Sequence, residues 1–121
     1  MEIARFFFQL SNQVKLYHWQ TKVYARHIAS DTLFAGLLPL IDRFMEVYQG
    51  KIDDRISDKN TKIALSVSQL TDEEMTLFLK KSVEHLAGMS FLEKRENSDL
   101  ANIRDDMVGL INQTIYLFSF K

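Results

Sequence analysis

Only four glycines and one proline punctuate the 121 residues, and so few turn-forming residues constrain the chain to long helices joined by few tight turns. The apolar pattern agrees. Ile3, Phe7, Leu10, Val14 and Tyr17 recur at alternating steps of four and three, which predicts a helix over about residues 2–21. A broader stripe of Leu33, Phe34, Leu37, Leu40, Ile41, Phe44 and Tyr48 marks a second helix over about 26–53. Pro39 lies inside it, removes one backbone hydrogen bond and crowds the preceding turn, so a kink near Ala35–Pro39 or a break is expected there.

Thr71-Asp72-Glu73-Glu74 reads as a capping box opening a third helix. Its face is Met75, Phe78, Leu79, Leu86 and Met89. A fourth begins near Ser98-Asp99 and carries Leu100, Ile103, Met107, Leu110, Thr114 and Leu117 in a near-heptad stripe. Between the second and third segments Ile63, Leu65 and Val67 alternate with Ala64, Ser66 and Ser68, the pattern of an extended strap with one side on the bundle. The expectation is an all-α, ferritin-like four-helix bundle in one domain over 1–121, with two antiparallel hairpins joined by a long crossover.

Composition narrows the chemistry. A net charge of −1 gives no general pull toward nucleic acid or anionic membrane. Cysteine is absent, so imidazole and oxygen are the strong metal ligands on offer. No apolar stretch reaches the roughly 18 residues of a membrane span, and no signal-peptide pattern opens the chain. An intracellular, cytoplasmic protein is expected.

The residues able to bind metal are not scattered. At 100° per residue, His27, Asp31, Leu38, Asp42, Ala35 and Glu46 fall within an arc of roughly 100° on the second helix, well away from its core stripe. His18 ends the first helix and meets His27 at the turn between the two. Asp42 lies fifteen residues from His27, roughly 22 Å along a helix, so the two cannot hold one ion within a chain. A second copy with its second helix antiparallel, about a two-fold axis between residues 34 and 35, brings His18 and His27 of one chain to Asp42 and Glu46 of the other. An isologous dimer creates that site twice. Two imidazoles and two carboxylates suit ferrous iron, zinc or manganese.

"HW" closing the first helix, then His27, then Asp42-x-x-x-Glu46, resembles the ferroxidase signature of Dps-like miniferritins over about residues 10–50. "HWQTKVYARH" and "EVYQGK" also look like small ferritin-like proteins of large DNA viruses. The resemblance implies iron as the metal, oxidised by oxygen or peroxide at a site between two subunits, and then sequestered. It implies His18 and His27 as histidine ligands, Asp42 as a carboxylate ligand, Glu46 as the bridging or principal carboxylate, and Asp31 as a neighbour or accessory ligand. It also implies a homodimer at least and a larger symmetric shell at most. The interval between the histidines is shorter than the family's by about one helical turn, and the basic N-terminal tail with which some members hold DNA has no counterpart.

The contrasting reading is a non-catalytic helical homodimer, an interaction or scaffold protein. The Phe6-Phe7-Phe8 cluster reads as packing, and His85 and the Asp105-Asp106 pair as solvent-facing helix residues.

Overall fold

The computed structural model describes residues 2–56 and 62–121; the part of the expected strap at 57–61 lies outside the described residues. Four α-helices, α1 (Glu2–Gln20), α2 (Tyr24–Ile52), α3 (Asp72–Ala87) and α4 (Ser98–Leu117), carry the fold, with two 3-10 turns between α3 and α4 and no strand among the described residues.

Each helix begins and ends for local reasons. Thr71 Oγ1 accepts the Glu74 amide at 3.1 Å while Glu74 Oε1 accepts the Thr71 amide at 2.9 Å, the reciprocal pair foreseen from the sequence. Asp53, at φ 52°, closes α2 in the left-handed region and passes its amide to the Gln49 carbonyl. The expected break at Pro39 does not occur: α2 runs uninterrupted through it. Pro39 and Ala35 face solvent, so the carbonyl deprived of its partner can be hydrated.

The helices close into a ring in the order α1, α2, α4, α3. Contacts along α2 and α4 fix their antiparallel sense: Arg26 lies over the Phe118 ring, Gly36 against Leu110, and Lys51 beside Asp99. Between α1 and α3, Phe6 stacks on His85 at 4.0 Å and Tyr17 meets Asp72, so this pair is antiparallel as well. Phe7, Leu10, Val14, Tyr17, Leu33, Leu37, Phe44, Met75, Leu79, Leu86, Met107 and Ile111 fill the centre. His85 is exposed, as expected of a helix surface residue, and its ring also stacks on Phe6.

The crossover from α2 to α3 returns along the outside of α1. Gln13 Nε2 donates to the Ser68 carbonyl at 2.8 Å and its Oε1 accepts the Ser68 amide at 3.2 Å. Gln9 Oε1 accepts the Ser66 amide. Ile63 and Val67 are half-buried, but Leu65 is exposed. The expected one-sided alternation is incomplete because the strap is held by its backbone, through α1 carboxamides, as well as by apolar side chains. No helix among the described residues is long and apolar enough to cross a membrane.

Candidate functional site

The α1–α2 turn is three residues long and brings His18 and His27 face to face, ring centroids 4.0 Å apart and planes 16° from parallel. Each ring is tied to the other's backbone. His18 Nδ1 donates to the His27 carbonyl at 2.7 Å, and His27 Nδ1 donates to the His18 carbonyl at 2.9 Å. A carbonyl can only accept, so these bonds place a hydrogen on Nδ1 of each ring and leave Nε2 outside the backbone contacts. The buried Ser30 hydroxyl donates to the same His27 carbonyl. His18 is 9% exposed and His27 half-buried.

Asp31 stands beside the pair, its Oδ1 3.8 Å from His18 Nε2 and 3.6 Å from Lys15 Nζ. Lys15 also lies over the Phe34 ring at 4.7 Å. At the far end of the same face, Asp42 and Glu46 are exposed and adjacent. A hydrogen bond to Asp42, then the negative charge of Asp42, raises the Glu46 carboxyl above the ordinary range.

The structure thus joins His18, His27 and Asp31 at one end of α2 and Asp42 with Glu46 at the other. It does not unite the two groups within one chain. Among the described residues no cluster of three or more histidine, aspartate or glutamate side chains could hold a metal ion. The stacked rings add a constraint. A ligated ion lies close to the imidazole plane, and two nearly parallel planes stacked in this way do not meet within the roughly 2.1 Å of a metal–nitrogen bond. The two rings in this arrangement therefore cannot share one ion.

A second polar cluster was invisible in the helical periodicity. Tyr17 donates to Asp72 Oδ1 at 2.5 Å, Thr21 donates to the same oxygen at 3.0 Å, and Arg26 donates to the Tyr17 hydroxyl and to the Asp72 carbonyl. Arg26 also reaches Thr76 Oγ1 and covers the Phe118 ring at 4.5 Å. Burial, and then the bond to Asp72, raises the Tyr17 phenol above its ordinary value. The cluster pins the ends of all four helices together. Every member has partners within the cluster, so it acts as a clasp. The signal was present: a tyrosine in a core stripe needs somewhere to send its hydroxyl.

A model of a family of unknown function, DUF5856, matches residues 18–118. The chain belongs to this family. It is also similar to an uncharacterised 14.6 kDa protein from the mobD–ri intergenic region of Enterobacteria phage T4, 30% identical over 105 residues that span 86% of this chain and 75% of that protein. No solved structure gives a significant match. These findings overturn the resemblance to Dps-like miniferritins: His18, His27, Asp31, Asp42 and Glu46 all fall in the stretch that DUF5856 accounts for. The physical reason is the turn. Its shortness stacks the two histidines on each other and spends one nitrogen of each on local backbone, an arrangement the motif alone does not specify. Membership in DUF5856 establishes kinship without an activity.

Proposed function

We propose that this DUF5856 protein works as an isologous homodimer that binds divalent metal at two equivalent sites across the outer faces of its α1–α2 hairpins. The observation that carries this reading is that a backbone carbonyl holds each imidazole by Nδ1, which leaves Nε2 to face outward, beside Asp31 in the case of His18, on the helix face that also presents Asp42 and Glu46. Such second contacts fix a metal-binding imidazole in the correct tautomer.

The exposed face of α2 supports a helical partner as well. Between Tyr24 and Asp42 it presents Ile28, Thr32, Ala35, Leu38 and Pro39, with Ile28 47% and Leu38 45% exposed. That is a small and apolar stripe on the side away from the core. With residue 27 of one chain opposite residue 42 of the other, His18 and His27 would supply nitrogen and the partner's Asp42 and Glu46 would supply oxygen. That donor set fits iron(II), zinc or manganese. When iron is bound, it supplies one-electron chemistry with oxygen or peroxide that no side chain here can perform. The chain's own residues orient the imidazoles and gather the carboxylate charge.

A second reading is a helical dimer without metal, acting as an interaction or scaffold protein. Its specific support is that the reciprocal histidine bonds already give both rings a structural role at the turn.

One experiment separates the two. Purified protein, stripped with chelator, is titrated with zinc and with anaerobic ferrous iron by calorimetry while its mass is followed by light scattering. The expected result is a dimer that takes two ions at each of its two sites, one for each imidazole and so two per chain, with affinity reduced at least tenfold by His27→Ala and by Asp42→Asn. A dimer that binds neither metal leaves the scaffold reading, and a monomer in every condition overturns both.

A further inference from the structure

Trp19, the single tryptophan of the chain, is 69% exposed at the end of α1. It continues a stripe with Phe8, Asn12 and Lys15, spaced by four, three and four residues, so all four lie along one side of α1. Phe8 is itself 50% exposed. Lys15 connects this stripe to the α2 face, since its ammonium sits 3.6 Å from Asp31 and 6.0 Å from the Trp19 ring centroid. The outer sides of α1 and α2 therefore form one surface.

At the opposite end of that surface is a notch of about 220 Å³, lined by Phe8, Ile41, Met45 and Ile56 and edged by Asp42. It is smaller than the roughly 300–1,000 Å³ of small-molecule pockets, and its size and apolar walls suit one bulky side chain.

We infer that the notch receives Trp19 of a second copy of the chain, and that this exchange, made twice about the two-fold axis, anchors the dimer. The inference rests on the antiparallel pairing of α2 helices proposed above, and three observations direct it. The contact of His18 with His27 fixes α1 against α2, so Trp19 lies level with Arg26. In that pairing the level of Arg26 along the helix axis coincides with that of the partner's residue 43, within about one helical turn of the partner's Ile41, Asp42 and Met45. A two-fold axis lying in the contact plane keeps α1 on the same side in both molecules, so Trp19 and the partner's notch fall on the same side of the paired α2 helices. The charges agree as well: Lys15, one turn before Trp19, comes level with the partner's residue 39, within about one turn of the partner's Asp42, a complementarity that favours this register over a parallel one. A large aromatic entering an apolar pocket beside charged residues is the usual composition of a binding hot spot.

The single tryptophan makes the test direct. Emission and acrylamide quenching of Trp19 are measured across a concentration series of the whole chain, with mass by analytical ultracentrifugation in the same buffer, with and without zinc. The expected result is a blue shift and a several-fold loss of quenching that follow the dimer fraction. Met45→Lys, placed in the notch and partly exposed in the free chain, should weaken dimerisation at least tenfold and return the emission to the monomer's. Circular dichroism checks that the variant is folded, and Ile56→Lys repeats the test from another wall. A dimer whose tryptophan stays fully quenchable overturns the Trp19 anchor while the dimer itself stands. A chain that stays monomeric overturns both.

Discussion

Tyr17 and Asp72 are 55 residues apart in sequence and joined by a 2.5 Å hydrogen bond where α1 ends and α3 begins. The bond ties the two hairpins at the end of the bundle farthest from the start of the crossover. Tyr17→Phe leaves Asp72 and Arg26 each short of a partner inside the clasp, and should cost about 1–3 kcal/mol in urea denaturation. The pH response has a defined sign. The folded chain favours the neutral phenol, so this contribution is complete below the ordinary tyrosine value of 10.0 and is lost as pH rises through the raised folded value. The stability difference between wild type and Tyr17→Phe should shrink on the alkaline side and stay flat from neutral pH to mildly basic pH.

The capping box of α3 responds at the other end of the scale. The Thr71 amide, and then its side chain, hold Glu74 below the ordinary carboxylate range. The stabilisation is therefore present above that range and disappears as pH falls through the lowered value. Thr71→Ala should cost about 1 kcal/mol at neutral pH. Glu74→Gln should lose this residue's share of the acid-side dependence and keep the share of Asp99, which is also held below the ordinary range, read from melting temperatures at several acidic pH values.

Gly36 sits where α2 crosses α4, and a Cβ built there would lie 2.6 Å from Leu110 Cδ2. The opposing atom is the end of a half-buried, flexible side chain, and alanine regains up to about 1 kcal/mol of helix propensity. Gly36→Ala should therefore change stability by less than about 1 kcal/mol. Gly36→Leu, which Leu110 cannot evade, should cost about 1–3 kcal/mol or more. Leu110→Ala in the same chain should recover part of that loss.

Asp42 and Glu46 oppose each other in the free chain. Because the folded state raises Glu46, the pair is less favourable once pH passes above the ordinary carboxylate range. Asp42→Asn should raise the melting temperature of metal-free protein at neutral pH while weakening zinc binding. A variant that lowers both would contradict a site kept at the expense of stability.

The helices were legible because their information is local. Thr71 and Glu74 announce α3 through a contact three residues long, and the Ile3-to-Tyr17 stripe needs no knowledge of what covers it. Pro39 left a kink and a break both open because its effect depends on which side of α2 faces water, and that is set by α1 and α4; the break is the outcome that does not occur. The candidate site was legible in part. The angular placement of His27, Asp31, Asp42 and Glu46 follows from helix arithmetic. The stacked, mutually bonded state of His18 and His27 depends on the path of a three-residue turn, for which periodicity has no rule. The Tyr17–Asp72–Arg26 clasp was hidden for a further reason: its members come from three helices, and each has an ordinary role in its own.

The grip of Gln9 and Gln13 on the crossover has an evolutionary consequence. Those amides recognise main-chain groups that nearly every amino acid possesses, so the exposed positions 64, 66 and 68 can diverge in identity among relatives with little penalty, unlike the half-buried Ile63, Val67 and Leu70. Two spellings are barred: proline at 66 or 68, which would delete the amide hydrogen that each glutamine accepts.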